Sequence, residues 1–154
     1  LVAKGLPRFQ IVISKMFFAS ILWTVSFIIY CLIFNLYTNY IFKENVEILL
    51  AIKASIPIWV FGIFLITLEC FAGFVFRNTV GALSTLVIIV ALQFLLGMYD
   101  KIAKFLPMFL FSDNINLIKG SISFADYRYS ILTTILLTIL MIFTSIFVLN
   151  RKEI

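Results

Sequence analysis

Histidine is absent from this 154-residue chain, and charge is scarce: Lys, Arg, Asp and Glu together make up 12% of it. A soluble domain carries about a quarter charged residues and about half apolar ones. Here the apolar share is 64%, with 18 phenylalanines, so the composition excludes an ordinary water-soluble globule. Lipid must serve as part of the solvent.

The missing histidine removes the commonest metal ligand. The two cysteines, Cys31 and Cys70, sit inside separate apolar runs without ligand spacing. No metal and no other cofactor is expected, and both thiols read as small buried residues. A GxxxxGK[ST] phosphate loop, a G-x-S-x-G elbow and an H-E-x-x-H helix are all missing. Glu69 has no carboxylate or histidine partner within its own apolar run, which leaves acid–base chemistry nothing to work with. Catalysis by this chain alone is not expected. The net charge of +5 comes without any run of Lys and Arg interleaved with aromatics, which argues against nucleic acid as a partner. A signal peptide does not fit either: the first apolar run exceeds the about 7–15 residues of such a core, and no small-residue cleavage site follows.

What the chain does have is four long apolar segments: Met16 to Tyr37, Ile56 to Phe76, Thr79 to Tyr99 and Ile131 to Asn150. Crossing about 30 Å of hydrocarbon takes about 20 mainly apolar residues at 1.5 Å rise each. Lipid offers backbone N–H and C=O groups no partner, so spans of this length are helices, and no strand-like alternation supports a barrel. The expected fold is an all-α polytopic membrane bundle of four transmembrane helices in one domain.

Arg77 and Asn78 alone separate the second and third spans, a tight hairpin. An even number of spans puts both termini and this hairpin on one side, with Lys4, Arg8, Lys15, Arg77, Arg151 and Lys152. The other side holds Lys43, Lys53, Lys101, Lys104, Lys119 and Arg128. The counts tie, but the first set crowds against helix ends, and density places both termini in the cytoplasm.

Polar residues recur along two faces. Ser20, Thr24, Cys31 and Asn35 share one side of the first span, and Thr134, Thr138 and Ser145 form a similar stripe in the last. Such faces serve helix packing, through close approach and interhelical hydrogen bonds, or line a polar path. Both readings stand at this stage, and a larger bundle or a dimer is expected. Glu69 carries the one charge inside a span. Gly62, Ile66, Glu69 and Gly73 share a face, so Glu69 is expected to point into the bundle. Ser20, Thr24, Gln93, Thr138 or a cation on further spans are its candidate partners. It reads either as a buried, hydrogen-bonded anchor or as a cargo-binding or gating group. Between the third and fourth spans, IAKFLPMFLF is apolar, too short to cross and broken by Pro107. It reads as an outer interfacial or re-entrant segment with Lys101 and Lys104 snorkelling to the headgroups.

The opening stretch KGLPRFQIVISK, the outward Leu106-Pro107 and the closing Asn150-Arg151-Lys152-Glu153-Ile154 together resemble the membrane subunits of type-2 ATP-binding-cassette exporters. These are permeases of the bacitracin-resistance and bacteriocin-immunity kind. The resemblance implies a bacterial cell membrane, a separate ATP-binding subunit, a second permease copy, and export of peptide antibiotics or amphiphiles by alternating access. It also implies that two further spans precede this chain, and that Lys4, Gly5, Pro7 and Arg8 belong to the segment coupling the permease to its ATPase. Read without the resemblance, the same stretch is a plain interfacial anchor. The alternative function is a small four-span assembly or immunity protein that binds a partner and transports nothing.

Overall fold

The computed structural model describes residues 8–37, 40, 48–76, 78–118 and 121–151. Among these residues there is no strand, and four helices are long and apolar enough to cross a membrane. They are α1 (Arg8–Tyr37), α2 (Ile48–Phe76), α3 (Thr79–Leu96) and, last in the chain, α7 (Arg128–Arg151). The protein is an all-α polytopic bundle.

α2 is the axis of the bundle. It packs against α1, α3, α7 and the short helices that precede α7. A third of its span is buried, against 6% for α1 and 11% for α3. The outer helices therefore present most of their Phe, Ile and Leu side chains outward. In water this arrangement would be untenable; in hydrocarbon it costs nothing, because lipid tails are as apolar as leucine. Polarity is inverted accordingly. The fully buried positions of α7 include Ser130, Thr134 and Ser145, while Leu132, Ile135 and Phe143 are exposed.

α2 begins at Ile48 and runs through Pro57 without a break, so it takes in part of the Thr38–Ser55 connection as well as the span from Ile56. Pro57 has no N–H to donate back to the preceding turn, and its ring crowds the carbonyl four residues earlier. One residue beyond the carbonyl that Pro57 leaves without a donor, that of Lys53, the Asn114 side-chain amide donates to the Ala54 carbonyl. Asn78 ends the hairpin by capping α3, its side chain accepting from the Gly81 N–H.

The stretch between the third and fourth spans folds as a cap of α4 (Asp100–Ala103), α5 (Phe109–Ser112), α6 (Asn114–Ile118) and a one-turn 3-10 helix, Phe124–Tyr127. Phe109, Leu110, Leu117 and Tyr127 form one buried cluster with Ala54, Phe61, Phe64 and Leu68 of α2. The Phe109 and Tyr127 rings lie 5.2 Å apart. The first turns of α7 hold the cap by its backbone: Ser130 donates to the Leu106 carbonyl at 2.5 Å and Thr133 to the Phe105 carbonyl at 2.6 Å. Lys101 and Lys104 stay exposed while Pro107 is buried, so the segment lies against the ends of α2 and α7 as a folded lid. Here water returns as solvent, and each fully buried Leu or Phe contributes about 1.5–3 kcal/mol.

The cap marks one end of the bundle, where α2 and α7 begin. Antiparallel to them, α1 begins at the opposite end, beside the Asn78 hairpin and the close of α7.

Candidate functional site

The seam between α1 and α2 is closed over part of its length by an aromatic lock. The indole of Trp23 lies on Gly62, where an added methyl would overlap the ring. Trp23 donates to the Trp59 carbonyl at 3.3 Å, and Trp59 in turn donates to the Thr24 hydroxyl at 3.1 Å. Thr24 donates to the Ser20 carbonyl at 2.8 Å. Farther toward the cap, the Cys31 thiol meets the Ser55 hydroxyl at 3.6 Å, and Asn35 donates to the Cys31 carbonyl at 2.9 Å. Of the polar stripe of α1, Thr24 and Cys31 thus reach α2, and Asn35 turns back on its own helix. The hydroxyls of the α7 stripe turn back on their own helix: Thr134 donates to the Ser130 carbonyl at 2.6 Å and Thr138 to the Thr134 carbonyl at 2.8 Å.

Toward the hairpin end the same seam opens. A cleft of about 500 Å³ lies between Lys15 and Ala19 of α1, Glu69, Cys70 and Gly73 of α2, and Asn78 and Ala82 at the start of α3. Small residues make it. A Cβ built on Gly73 meets nothing within 4 Å, whereas at Gly62 it meets Trp23. Ala19 and Ala82 add two more short side chains to the lining, beside the larger Phe74.

Two charges of opposite sign face this cleft. Lys15 Nζ stands 5.7 Å from the centre of the Phe74 ring, a cation–π contact. Glu69 is exposed to the cleft, and among the described residues no hydrogen bond or ion pair engages its carboxylate. Helical side chains lean toward their own N-terminus. α1 and α2 run antiparallel, so Lys15 leans to the hairpin end and Glu69 away from it. A charge in mid-span costs about 2.5–3.5 kcal/mol on insertion scales. Sharing a water-accessible cleft lowers that cost for both, and gives the cleft an anionic and a cationic wall above an apolar floor. Such a surface suits an amphiphile with a charged head.

The sequence-predicted residues divide. Lys4, Gly5 and Pro7 lie outside the described residues. Arg8 is the first residue of α1, at the cleft end of the bundle. Thr24 meets Trp59 of α2 and Thr134 is buried, while Ser20, Asn35 and Thr138 are half-buried. Glu69 is corrected: it does not point into the bundle, because its glycine face is filled only at Gly62 and stands open at Gly73. Gln93 is buried on α3 with its side-chain oxygen unpartnered, about 10 Å from Glu69 in depth by helical rise. None of the four expected partners lines the cleft. Lys15 does, along with Cys70, Asn78 and Thr79, and these the sequence reading missed as a group. A signal existed: Lys15 lies seven residues from the start of α1 and Glu69 seven from the end of α2, which an antiparallel pair brings to one depth.

Comparison with protein-family models, with curated proteins and with solved structures gives no match to this chain.

Proposed function

We propose that the chain is a non-catalytic membrane subunit of an exporter, energised by a separate ATP-binding subunit and working beside a second permease copy. The cargo is an amphiphile, a peptide antibiotic or a lipid-like molecule, and the cleft is where it meets this chain. The observation that carries the reading is that cleft: opposite charges on Lys15 and Glu69, open between α1 and α2 at the end of the bundle that also bears Arg8. In this reading the basic end is cytoplasmic, in a bacterial plasma membrane, by the crowding of Lys4, Arg8, Lys15, Arg77, Arg151 and Lys152. ATP-driven movement of the segment around Arg8 rocks α1 against α2, and the seam that is locked at Trp23 and open at Gly73 is the natural pivot and mouth. The large outward faces of α1 and α3 suit a chain that is one part of a larger bundle.

The same outward faces favour a second reading, a partner-binding assembly or immunity protein without transport. Co-purification separates the two. Arg8→Glu should release an ATP-binding subunit while membrane insertion is retained. If the native chain brings down no such subunit, the transport reading fails and the partner-binding one stands.

A further inference from the structure

α7 carries a second concavity, which shares no lining residue with the cleft between α1 and α2. It measures about 580 Å³ and is walled by Phe124 and Ala125 of the one-turn helix and by Arg128, Ile131, Leu132 and Ile135 of α7, with Leu136 below. The α7 positions recur three and four residues apart, which places them on one face. Leu132, Ile135 and Leu136 are all about half exposed, and Ser130 and Thr134, which are buried, turn to the other side. The groove runs about 12 Å down the helix from Arg128. It is apolar throughout, Arg128 lining it with the aliphatic stem of its side chain.

We propose that this groove seats one acyl chain of a phospholipid whose phosphate is held by Arg128. Charge complementarity selects this occupant. Arg128 stands where α7 enters the bundle beside the cap, the level at which a lipid phosphate lies. Its guanidinium is set in place by Tyr129, at 5.0 Å from the ring centre and with one donor on the tyrosine hydroxyl at 3.2 Å. Tyr129 is itself fixed against Phe105 of the cap, ring centres 5.5 Å apart. The neighbouring acid is engaged elsewhere: Asp126 accepts from the Ser123 N–H at 3.0 Å and from the Ser123 hydroxyl at 2.9 Å. A guanidinium has five donors in a planar fork that matches phosphate oxygens, so four are left to offer. Directly below it the wall turns wholly apolar, in the order of a phospholipid: phosphate first, then chain.

The full-length protein, purified in a neutral detergent, is offered phosphatidylglycerol or diacylglycerol bearing the same chains, and retained lipid is counted by native mass spectrometry. One phosphatidylglycerol per chain should be retained, and diacylglycerol should not. Arg128→Ala should lower retention about tenfold or more, the worth of one charge-assisted hydrogen bond. Ile135→Trp fills the groove and leaves the cation in place; it should lower retention as much. Leu136→Trp, at a more exposed position one residue on, repeats that arm should the first variant not fold. Equal retention of diacylglycerol, or full retention by either Arg128→Ala or the groove-filled variants, overturns the assignment. So does loss of a dimer in the groove-filled variants, which would make a second copy of the chain the occupant.

Discussion

Trp23 of α1 and Gly62 of α2 occupy one another's space: the indole lies where a side chain on residue 62 would be. From this contact the two helices are held together on its cap side by Thr24, Trp59, Cys31 and Ser55; on its hairpin side Val12 and Met16 are buried, and a cleft lies beside Lys15 and Glu69. A lock and a cleft on one seam follow from two glycines eleven residues apart that meet different neighbours.

Gly62→Ala must push Trp23 off its bed, and overpacking of this kind costs about 1–3 kcal/mol. Gly73→Ala meets open space and gains up to about 1 kcal/mol of helix propensity. Thermal unfolding in detergent should show the first variant destabilised and the second unchanged or improved. Equal behaviour of the two would contradict the packing described for this seam.

Asn114→Leu should loosen the cap. It removes the side-chain bond to the Ala54 carbonyl, worth about 0.5–1.5 kcal/mol. Limited proteolysis should cut the segment between α3 and α7 faster while the four long helices persist by circular dichroism. Unchanged cleavage would mean that the cap is held by its apolar contacts alone.

Lys15→Glu and Glu69→Lys each place two like charges on one cleft, and each should lower expression in the membrane. The exchanged pair should recover part of the loss, a coupling on the order of 1 kcal/mol. Additive losses in the double variant would show that the two groups do not feel one another.

Single cysteines introduced on a background lacking Cys31 and Cys70 report the orientation. A membrane-impermeant thiol reagent added outside should reach residues 45 and 115 and spare residues 4 and 152. The opposite pattern would reverse the topology and remove the coupling role proposed for Arg8.

The four spans and the helical class were legible because hydrocarbon leaves backbone polar groups a single solution, and composition alone announces the solvent. The short cap was legible as an apolar piece broken at Pro107. Its fold was not, because the burial of Leu110 and the bond from Asn114 to Ala54 depend on contacts across about sixty residues of chain. Glu69 was recognisable as the one charged group inside a span. Its direction was not, since the face rule treats Gly62 and Gly73 as equivalent, and only the bulk of Trp23 opposite one of them makes them differ. Lys15 read as an interfacial anchor, and its place across from Glu69 follows only from the register of α1 on α2.

The role of the cleft is tested most directly by filling it. Gly73→Trp places an indole in the open end of the seam, where the backbone has room for it. In the complete assembly, export measured per correctly inserted complex should be abolished, with the ATP-binding subunit still co-purifying; Glu69→Gln, which removes the charge and keeps the volume, should reduce export as well. Undiminished export with the cleft filled would contradict the account.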